Sequence, residues 1–309
     1  MKIVTNIKKM QELSRQTRSA ELVVGFVPTM GFLHEGHLDL VRRARALSDV
    51  VVVSIFVNPT QFDQKDDFEN YPRDDMADRA MLEHEGVNFL FMPAAEEVYT
   101  PGASTTVSVS GLTTGLCGSH RPGHFNGVAT VVAGLLSMVQ PDLAVFGEKD
   151  FQQLAVVRRL VRDLHLPVQI VGAPTVREAD GLALSSRNAR LDNDQRLIAP
   201  RLQAALVAAA TAFRDEGVRA TSELIARAKA ILADTPALEL EYLEMIDGAS
   251  LEPVVEADEN SVLAAAAFLG SVRLIDNIVL ERFVAEGLRA RSATSATVSL
   301  LDEGVPRHA

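Results

Sequence analysis

Short apolar runs that alternate with helical patterns constrain the fold of the first two thirds of this chain. Runs rich in Val, Ile, Leu and Phe read as strands that are buried on both faces. They lie at residues 22–27, 50–57, 88–92, 143–146 and 168–171, and helix-like spacing fills residues 36–47, 74–85, 125–139 and 150–163 between them. This succession predicts an α/β fold with a doubly wound parallel sheet.

The pattern changes after about residue 175. Two Ala-rich helices are predicted at residues 193–216 and 221–233, and strands at residues 238–246, 262–269 and 272–280. We therefore predict a first domain at residues 1–175 and a smaller α+β domain at residues 176–280 that closes over the site. Residues 281–309 show no sustained periodicity, which predicts a flexible tail.

Charge and cysteine content narrow the class of protein. The chain has 30 basic and 41 acidic residues and a formal net charge of −11, which disfavours nucleic acid as a partner. An anionic small ligand would need a few converging basic groups.

A single cysteine, Cys117, excludes an intrachain disulfide, suits a reducing cytoplasm and is expected to have no redox role. No apolar run approaches the length that spans a bilayer, so no membrane partner is expected.

Two common phosphate-binding signatures, the G-x-x-x-x-G-K-[ST] loop and the G-x-G-x-x-G turn, are absent. Instead, His34 and His37 lie three residues apart at the start of the helix that follows the first strand. There, imidazole and backbone N–H groups would converge at the positive end of the helix dipole, which predicts a phosphate site. The alternative is a pair of capping or core histidines. The spacing excludes H-E-x-x-H, in which the histidines are four apart.

Two further segments carry groups suited to a nucleotide. After the fourth strand, Gly147 permits close approach, Lys149 supplies a cation and Asp150 could bind ribose hydroxyls. A solvated turn is the alternative reading. Residues 180–188 contain Ser-Ser-Arg-Asn, which could form a mobile phosphate clamp or only a turn and helix cap.

A neutral polar group follows the second strand. Asn58 and Gln61 offer uncharged donors and acceptors, which suit a hydroxylated acid better than a second phosphate, although plain turn chemistry is an equal alternative. His124 and Gln153 extend this polar set.

Six segments, taken in order, resemble the pantothenate synthetase (pantoate:β-alanine ligase) family. The resemblance runs from about residue 22 to residue 280, and Phe32 and Leu184 stand where small and Met residues are frequent in the family. The six segments are Met30-Gly-Phe-Leu-His34-Glu-Gly-His37, Phe56-Val-Asn-Pro-Thr-Gln61-Phe, Tyr71-Pro-Arg73, Arg121-Pro-Gly-His124-Phe, Gly147-Glu-Lys-Asp-Phe-Gln-Gln153 and Asp180-Gly-Leu-Ala-Leu-Ser-Ser-Arg-Asn188.

The resemblance implies a Rossmann-like fold of the HIGH nucleotidyl-transfer superfamily, a homodimer, and use of ATP with Mg²⁺. It also implies an ATP-dependent ligase that condenses pantoate with β-alanine through a pantoyl adenylate, releasing pyrophosphate and then AMP. Here His34-Glu-Gly-His37 and Leu184-Ser-Ser-Arg187 replace the two signature motifs of the superfamily.

Individual roles follow from the same resemblance. Catalytic roles are implied for His34, His37, Lys149, Ser185, Ser186 and Arg187, with His37 as proton donor. ATP contacts are implied for those six and for Met30, Gly147, Asp150, Val176 and Leu184. Pantoate and β-alanine contacts are implied for Gln61 and Gln153 and are expected of Asn58 and His124. For Mg²⁺ the expected ligands are phosphate oxygens and Asp78.

Two other functions remain open. A nucleotidylyltransferase of the same fold would need a second basic site for its acceptor phosphate, and the Asn58 and Gln61 surface is neutral. A non-catalytic ATP-binding subunit would keep the triphosphate residues but could lose the glutamines.

Overall fold

A six-stranded parallel sheet forms the centre of the computed structural model, which describes residues 1–62 and 68–286. Its strand order is β1-β4-β3-β2-β5-β6. The strands are β1 Lys2–Val4, β2 Val24–Thr29, β3 Val50–Ile55, β4 Phe89–Phe91, β5 Leu143–Gly147 and β6 Gln169–Ala173.

The strand order reverses between β2 and β5. From β2 the chain proceeds to β3 and β4 on one side, and then returns to build β5 and β6 on the other. β2 and β5 are direct neighbours, with Gly25 paired with Leu143 and Phe26 with Ala144. A crevice opens at the carboxyl ends of strands at such a reversal, so the loops after β2 and β5 are the expected ligand site.

Helices cover both faces of this sheet, which explains why its strands read as continuous apolar runs. Val41 and Ala44 of α2 and Leu82 of α3 pack on one face, and Met10 of α1 and Leu154 of α7 pack on the other. The helices of this part are α1 Ile7–Ser19, α2 Glu35–Leu47, α3 Asp75–His84, α4 Ala95–Val98, α5 Leu116–His120, α6 His124–Val139 and α7 Phe151–Asp163.

The remainder of the described chain builds a three-stranded antiparallel sheet of order β7-β8-β9. Its elements are α8 Asn193–Ile198, α9 Arg201–Asp215, α10 Thr221–Ala233, β7 Leu238–Asp247, β8 Ser261–Leu269 and β9 Val272–Val279. One face of this sheet packs on α9 and α10, whereas Ile246, Val262 and Ala264 join the core that contains α6 and α7. The two parts therefore share buried surface.

The predicted fold class is confirmed, and three elements differ from the prediction. β1 and α1 were not predicted; β1 has only three residues, too few to show a strand pattern, and it pairs with β4. The predicted helix at residues 193–216 is two helices, since Pro200 lacks the N–H group that a continuous helix needs.

The first six residues of the predicted flexible tail are helical. Residues 280–286 are helical, Phe283 packs against the C-terminal core, and the Arg214 guanidinium carbon lies 4.6 Å from the Phe283 ring centroid. The rest of that prediction, residues 287–309, lies outside the described residues. Within the described ranges, no helix combines the length and apolarity needed to cross a membrane.

Gly127 on α6 provides a test of how the site is packed. A Cβ there would press on the Thr60 carbonyl group and lie 2.8 Å from the Gln61 backbone nitrogen. We expect Gly127→Ala to lower the unfolding free energy by about 1–3 kcal/mol, since overpacking forces backbone shifts. The measurement is urea denaturation.

Gly134→Ala is the matched control on the same helix. Its Cβ would meet Met138 at an ordinary 3.6 Å, so stability should rise by about 0.5–1 kcal/mol. Equal effects at the two positions would contradict the close packing of α6 on the turn at Pro59–Gln61.

Candidate functional site

A cavity of about 240 Å³ opens at the carboxyl ends of β2 and β5. Its lining contains every predicted site residue except Asp78, so the side chains scattered along the sequence do share one ligand space. These residues are Met30, His34, His37, Asn58, Gln61, His124, Gly147, Lys149, Asp150, Gln153, Val176, Leu184, Ser185, Ser186 and Arg187.

The two histidines both cap α2 and face this cavity. His34 is the N-cap residue: its Nδ1 accepts the Gly36 N–H at 3.2 Å, and its own N–H donates to Nδ1 of His37 at 3.3 Å. The ring centroids are 4.1 Å apart. A Cβ on Gly36 would lie 3.0 Å from the His34 ring, which explains the glycine between them. The capping interpretation and the ligand-site interpretation are therefore both compatible with the structure.

These hydrogen bonds fix the protonation of the two rings. Because each Nδ1 accepts a backbone N–H, the proton of each neutral ring resides on Nε2. Burial, with a further contribution from the charge of Lys149, lowers the pKa of His34 to about 4. Burial, then His34, then Lys149 lower the pKa of His37 to about 3. At pH 7 both rings are therefore neutral hydrogen-bond donors, and the implied role of His37 as proton donor stays a prediction.

Asp78 holds the turn that carries the histidines. Its side chain is buried, and its carboxylate accepts the N–H groups of Phe32 at 2.8 Å and Leu33 at 2.7 Å. Gly31 and Phe32 have φ values of 81° and 51°, a left-handed conformation that costs energy at a residue such as phenylalanine. Burial raises the pKa of Asp78, and the two N–H groups oppose that rise.

The expectation that Asp78 binds Mg²⁺ stays a prediction, which the contacts of Asp78 do not favour. Both of its oxygens already accept backbone hydrogen bonds, and the residue does not line the cavity. The sequence hid this role because an acid near the start of a helix is explained as well by the helix dipole.

Lys149 enters the cavity from the turn after β5. β5 ends at Gly147, a 3₁₀ turn spans Glu148–Asp150, and Lys149 Nζ lies 3.8 Å from the Asp150 carboxylate. A Cβ added at Gly147 would meet no described atom within 4 Å. Since Gly147 lines the cavity, that space is open to a ligand.

The segment with Ser185, Ser186 and Arg187 is tied to the histidine turn. Ser185 Oγ caps a 3₁₀ turn by accepting the Arg187 N–H at 3.2 Å, and Ser186 Oγ donates to the Phe32 carbonyl oxygen at 3.2 Å. The Leu184 N–H donates to the Val176 carbonyl oxygen at 3.0 Å, which closes residues 176–184 into a loop. We refer to residues 176–187 as the clamp loop.

Asn58 orients Gln61, and its amide group is fully occupied by hydrogen bonds within the protein. Its Nδ2 donates to Gln61 Oε1 at 3.0 Å and to the Gly127 carbonyl oxygen at 3.2 Å, so both amide hydrogens are used. Its Oδ1 accepts from Thr60 and, at 2.7 Å, from the Tyr99 hydroxyl group. Because the hydrogen-bonding capacity of the Asn58 side chain is used in this way, the arrangement does not favour the expected direct contact with substrate. Tyr99 was missed, because nothing in the sequence links it to a residue 41 positions earlier.

His124 supports the same turn. Its Nδ1 donates to the Gln61 carbonyl oxygen at 2.7 Å, and Nε2 lies 3.4 Å from Arg121 Nη1. An arginine can only donate, so Nε2 is the acceptor in this contact. Arg121 itself lines the cavity and was not selected from the sequence, although its position three residues before His124 was a usable signal.

Comparison with known proteins identifies the family. The family model for pantoate-beta-alanine ligase matches residues 2–279. The chain belongs to the pantoate-beta-alanine ligase family. It is 51% identical over 280 residues to the pantothenate synthetase of Pseudomonas aeruginosa (strain UCBPP-PA14), an alignment that covers 90% of this chain and 98% of that relative.

Solved structures agree with this assignment. The crystal structure of pantothenate synthetase from Thermus thermophilus matches with a TM-score of 0.85 and 46% identity, covering 91% of this chain and 99% of that one. Pantoate-beta-alanine ligase from Francisella tularensis, in complex with beta-gamma ATP and beta-alanine, matches with a TM-score of 0.76 and 34% identity, covering 91% and 98%.

A second cavity, with a volume of about 440 Å³, adjoins the first. It lies between the parallel sheet and the C-terminal sheet, and it shares Lys149, Gln153 and Arg187 with the first cavity. Glu241 of β7 and Arg273 of β9 also line it, and they form an ion pair. Lys149 therefore stands at the boundary between the two parts of the chain.

Asp78→Asn distinguishes loop support from metal binding. The NH₂ group of the asparagine would face one of the two backbone N–H groups, so that two hydrogen-bond donors oppose each other. We therefore expect the unfolding free energy to fall by about 1–3 kcal/mol and the ligase activity to fall with it. The Mg²⁺ concentration that gives half-maximal activity should not change. Asp75→Asn, at an exposed position on the same helix, is the control. A raised Mg²⁺ requirement in Asp78→Asn alone would instead support metal binding.

The lowered histidine pKa values predict a pH-dependent stability. Between about pH 6 and pH 4 each ring takes up a proton only on unfolding, since the unfolded pKa is near 6.5, so acidification destabilises the fold. His37→Asn should reduce the slope of unfolding free energy against pH by up to about 1.4 kcal/mol per pH unit. Urea denaturation at several pH values measures this slope. Identical slopes in both proteins would mean that His37 is not buried as a neutral ring.

Proposed function

We propose that this family member condenses pantoate with β-alanine in two steps, through a pantoyl adenylate, with release of pyrophosphate and then AMP. One observation carries the proposal: a single cavity combines two neutral imidazole N–H donors, Lys149 and Arg187 with the neutral amides of Gln61 and Gln153. The charged end suits a triphosphate, and the neutral end suits a hydroxylated acid.

In the first step a pantoate carboxylate oxygen forms a bond to the α-phosphorus of ATP. The bond from that phosphorus to the bridging oxygen of pyrophosphate breaks, and pyrophosphate leaves. A carboxylate is already ionised at pH 7, so this step needs no general base. The obstacle is repulsion between two anions, which makes alignment and well-placed donors the main contributions of the protein.

Three groups of donors are proposed for the phosphates. The Nε2–H groups of His34 and His37 stabilise negative charge without carrying a positive charge of their own. Lys149 and Arg187 neutralise the triphosphate and the leaving pyrophosphate, and Ser185 and Ser186 place the clamp loop beside them. Gly147, Asp150 and the backbone near Val176 and Leu184 are proposed to frame the ribose and adenine.

The neutral end of the cavity is proposed to hold pantoate. Gln61 Nε2 donates to Met30 Sδ at 3.2 Å, so the amide and the apolar side chain lie together. Val128, Val131 and Val132 of α6 also line the cavity and offer an apolar wall for a gem-dimethyl group. Gln61 and Gln153 would bind its hydroxyl groups and carboxylate.

In the second step the β-alanine amine attacks the acyl carbon, and AMP leaves as the amide bond forms. The ammonium group of β-alanine loses one proton before the attack, and the nitrogen loses a second to solvent as the amide bond forms. The first proton needs an acceptor. Neither His34 nor His37 can accept it in this arrangement, because each Nδ1 is occupied by a backbone N–H and each Nε2 carries a hydrogen. The proton therefore passes to solvent or to a phosphate oxygen.

Mg²⁺ is proposed to arrive with ATP as part of the substrate. Among the described residues, no three His, Cys, Asp or Glu side chains form a metal-binding group. Phosphate oxygens are good ligands for this ion, which retains several waters when bound.

A homodimer in the cytoplasm is also proposed. The homodimer is supported by family membership, and the reducing compartment is supported by the single cysteine, Cys117. Sedimentation equilibrium at several concentrations would test the dimer, and a monomer at micromolar concentration would contradict it.

Isotope exchange between pyrophosphate and ATP tests the proposed reaction against its two competitors. Exchange without β-alanine that requires pantoate would support the pantoyl adenylate. Exchange that requires a phosphorylated acceptor would support a nucleotidylyltransferase instead. Binding of ATP with no exchange would support a non-catalytic subunit.

His37→Ala should reduce this exchange by about 10²- to 10³-fold, as expected for loss of one donor to a transition-state oxyanion. The thermal unfolding curve at pH 7 should stay close to that of the parent protein. Loss of the folded structure in the variant would instead indicate that His37 has a purely structural role.

A further inference from the structure

The last strand of the C-terminal sheet reaches the turn that carries Lys149. Asn277 of β9 is buried, with 6% of its surface exposed, and pairs with Ala264 of β8. Its Nδ2 donates to the carbonyl oxygen of Glu148 at 2.9 Å and to that of Lys149 at 3.0 Å. Both amide hydrogens are therefore used to hold the 3₁₀ turn.

A second contact holds the same turn. Arg282, in the helical residues 280–286, donates from Nη2 to Glu148 Oε1 at 2.9 Å, and its Nη1 lies 2.8 Å from Oε2. Only the first contact has hydrogen-bond geometry, so Arg282 holds the carboxylate by one charge-assisted hydrogen bond and one close ionic contact. The Glu148 side chain is 13% exposed, so the pair is shielded from water on the carboxylate side.

The residue before Asn277 holds the clamp loop. Asp276 is buried and accepts two hydrogen bonds from Arg177, at 2.6 Å and 2.9 Å. Arg177 also donates to the Gly181 carbonyl oxygen at 3.1 Å, within the clamp loop. Adjacent residues of β9 thus hold both segments that bear cations for the triphosphate.

We propose that Asn277, supported by Arg282, is a positioning residue that sets the place of Lys149 at the triphosphate. This inference rests on the proposed function, because it presumes that Lys149 binds phosphate. Asn277 lines the second cavity together with Gln153, but its side-chain amide donates only to the backbone of the turn. Its effect should therefore fall on ATP and spare pantoate.

The first experiment measures binding of a non-hydrolysable β,γ-methylene analogue of ATP by calorimetry. We expect Asn277→Ala to raise the Kd about tenfold. Asn277→Asp, which has the same shape but faces two carbonyl oxygens with a carboxylate, should raise it at least as much. Asn260→Ala is the control, since Asn260 is exposed and bonds within its own turn. A Kd within twofold of the parent protein for both Asn277 variants would overturn the proposal.

A double-mutant cycle separates positioning from general damage. In a Lys149→Met background the ammonium group is gone, so adding Asn277→Ala should change the Kd by less than twofold. A full additional tenfold loss would overturn the proposal.

In the exchange assay, Asn277→Ala should raise the KM for ATP about tenfold and leave the KM for pantoate within twofold. Equal changes in both constants would indicate a merely structural role.

Arg282→Gln keeps the proposal testable if the Asn277 variants do not fold. Arg282 is partly exposed, so its replacement should be tolerated. A threefold or larger rise in the Kd would support the proposal, and an unchanged Kd would overturn it. The outcome is separable from the proposed function: failure of the parent protein to bind the analogue would reject the function, whereas equal binding by parent and variants would reject only the positioning role.

Discussion

The turn after β2 depends on one buried carboxylate. Asp78 accepts the N–H groups of Phe32 and Leu33 while Gly31 and Phe32 hold a left-handed backbone, so acceptor and donors satisfy one another away from water. This turn determines where α2 begins and, through it, where the Nε2–H groups of His34 and His37 point. The Ser186 hydroxyl group then bonds to the carbonyl of the same turn, so the clamp loop also takes its position from it.

The electrostatic design suits an anion in a molecule whose net charge is −11. Burial of a neutral imidazole costs less free energy than burial of an imidazolium ion, and a neutral ring still presents an N–H group at the positive end of a helix. Lys149 and Arg187, which line the same cavity, are the cations proposed to balance the triphosphate. The proximity of Lys149 also disfavours protonation of both rings, which keeps them as donors of hydrogen bonds.

The C-terminal sheet takes part in the site and is not a separate accessory. It contributes Ile246, Val262 and Ala264 to the core of the first part, and β9 holds both the Lys149 turn and the clamp loop. A change in how this sheet packs would therefore alter the distance between the two proposed phosphate-binding segments. In this family member, the residues proposed to select the acid lie on the parallel-sheet part, and placement of the groups proposed for the triphosphate depends on both parts.

Local patterns in the sequence were sufficient for five of the six strands of the parallel sheet and for most helices, and the cavity residues were named with the help of the family resemblance. Apolar runs and helical spacing are properties of consecutive residues, and the carboxyl ends of parallel strands meet wherever such a sheet forms. The sequence could not reveal that Asp78 supports a turn, that Tyr99 and Gly127 saturate Asn58, or that Asn277 reaches the Lys149 turn. Each of these contacts joins residues between 41 and 129 positions apart, and such pairings exist only once packing has brought their elements together. The sequence therefore determined which chemical groups are present, and the tertiary structure decided which of them face the cavity and which hold the others in place.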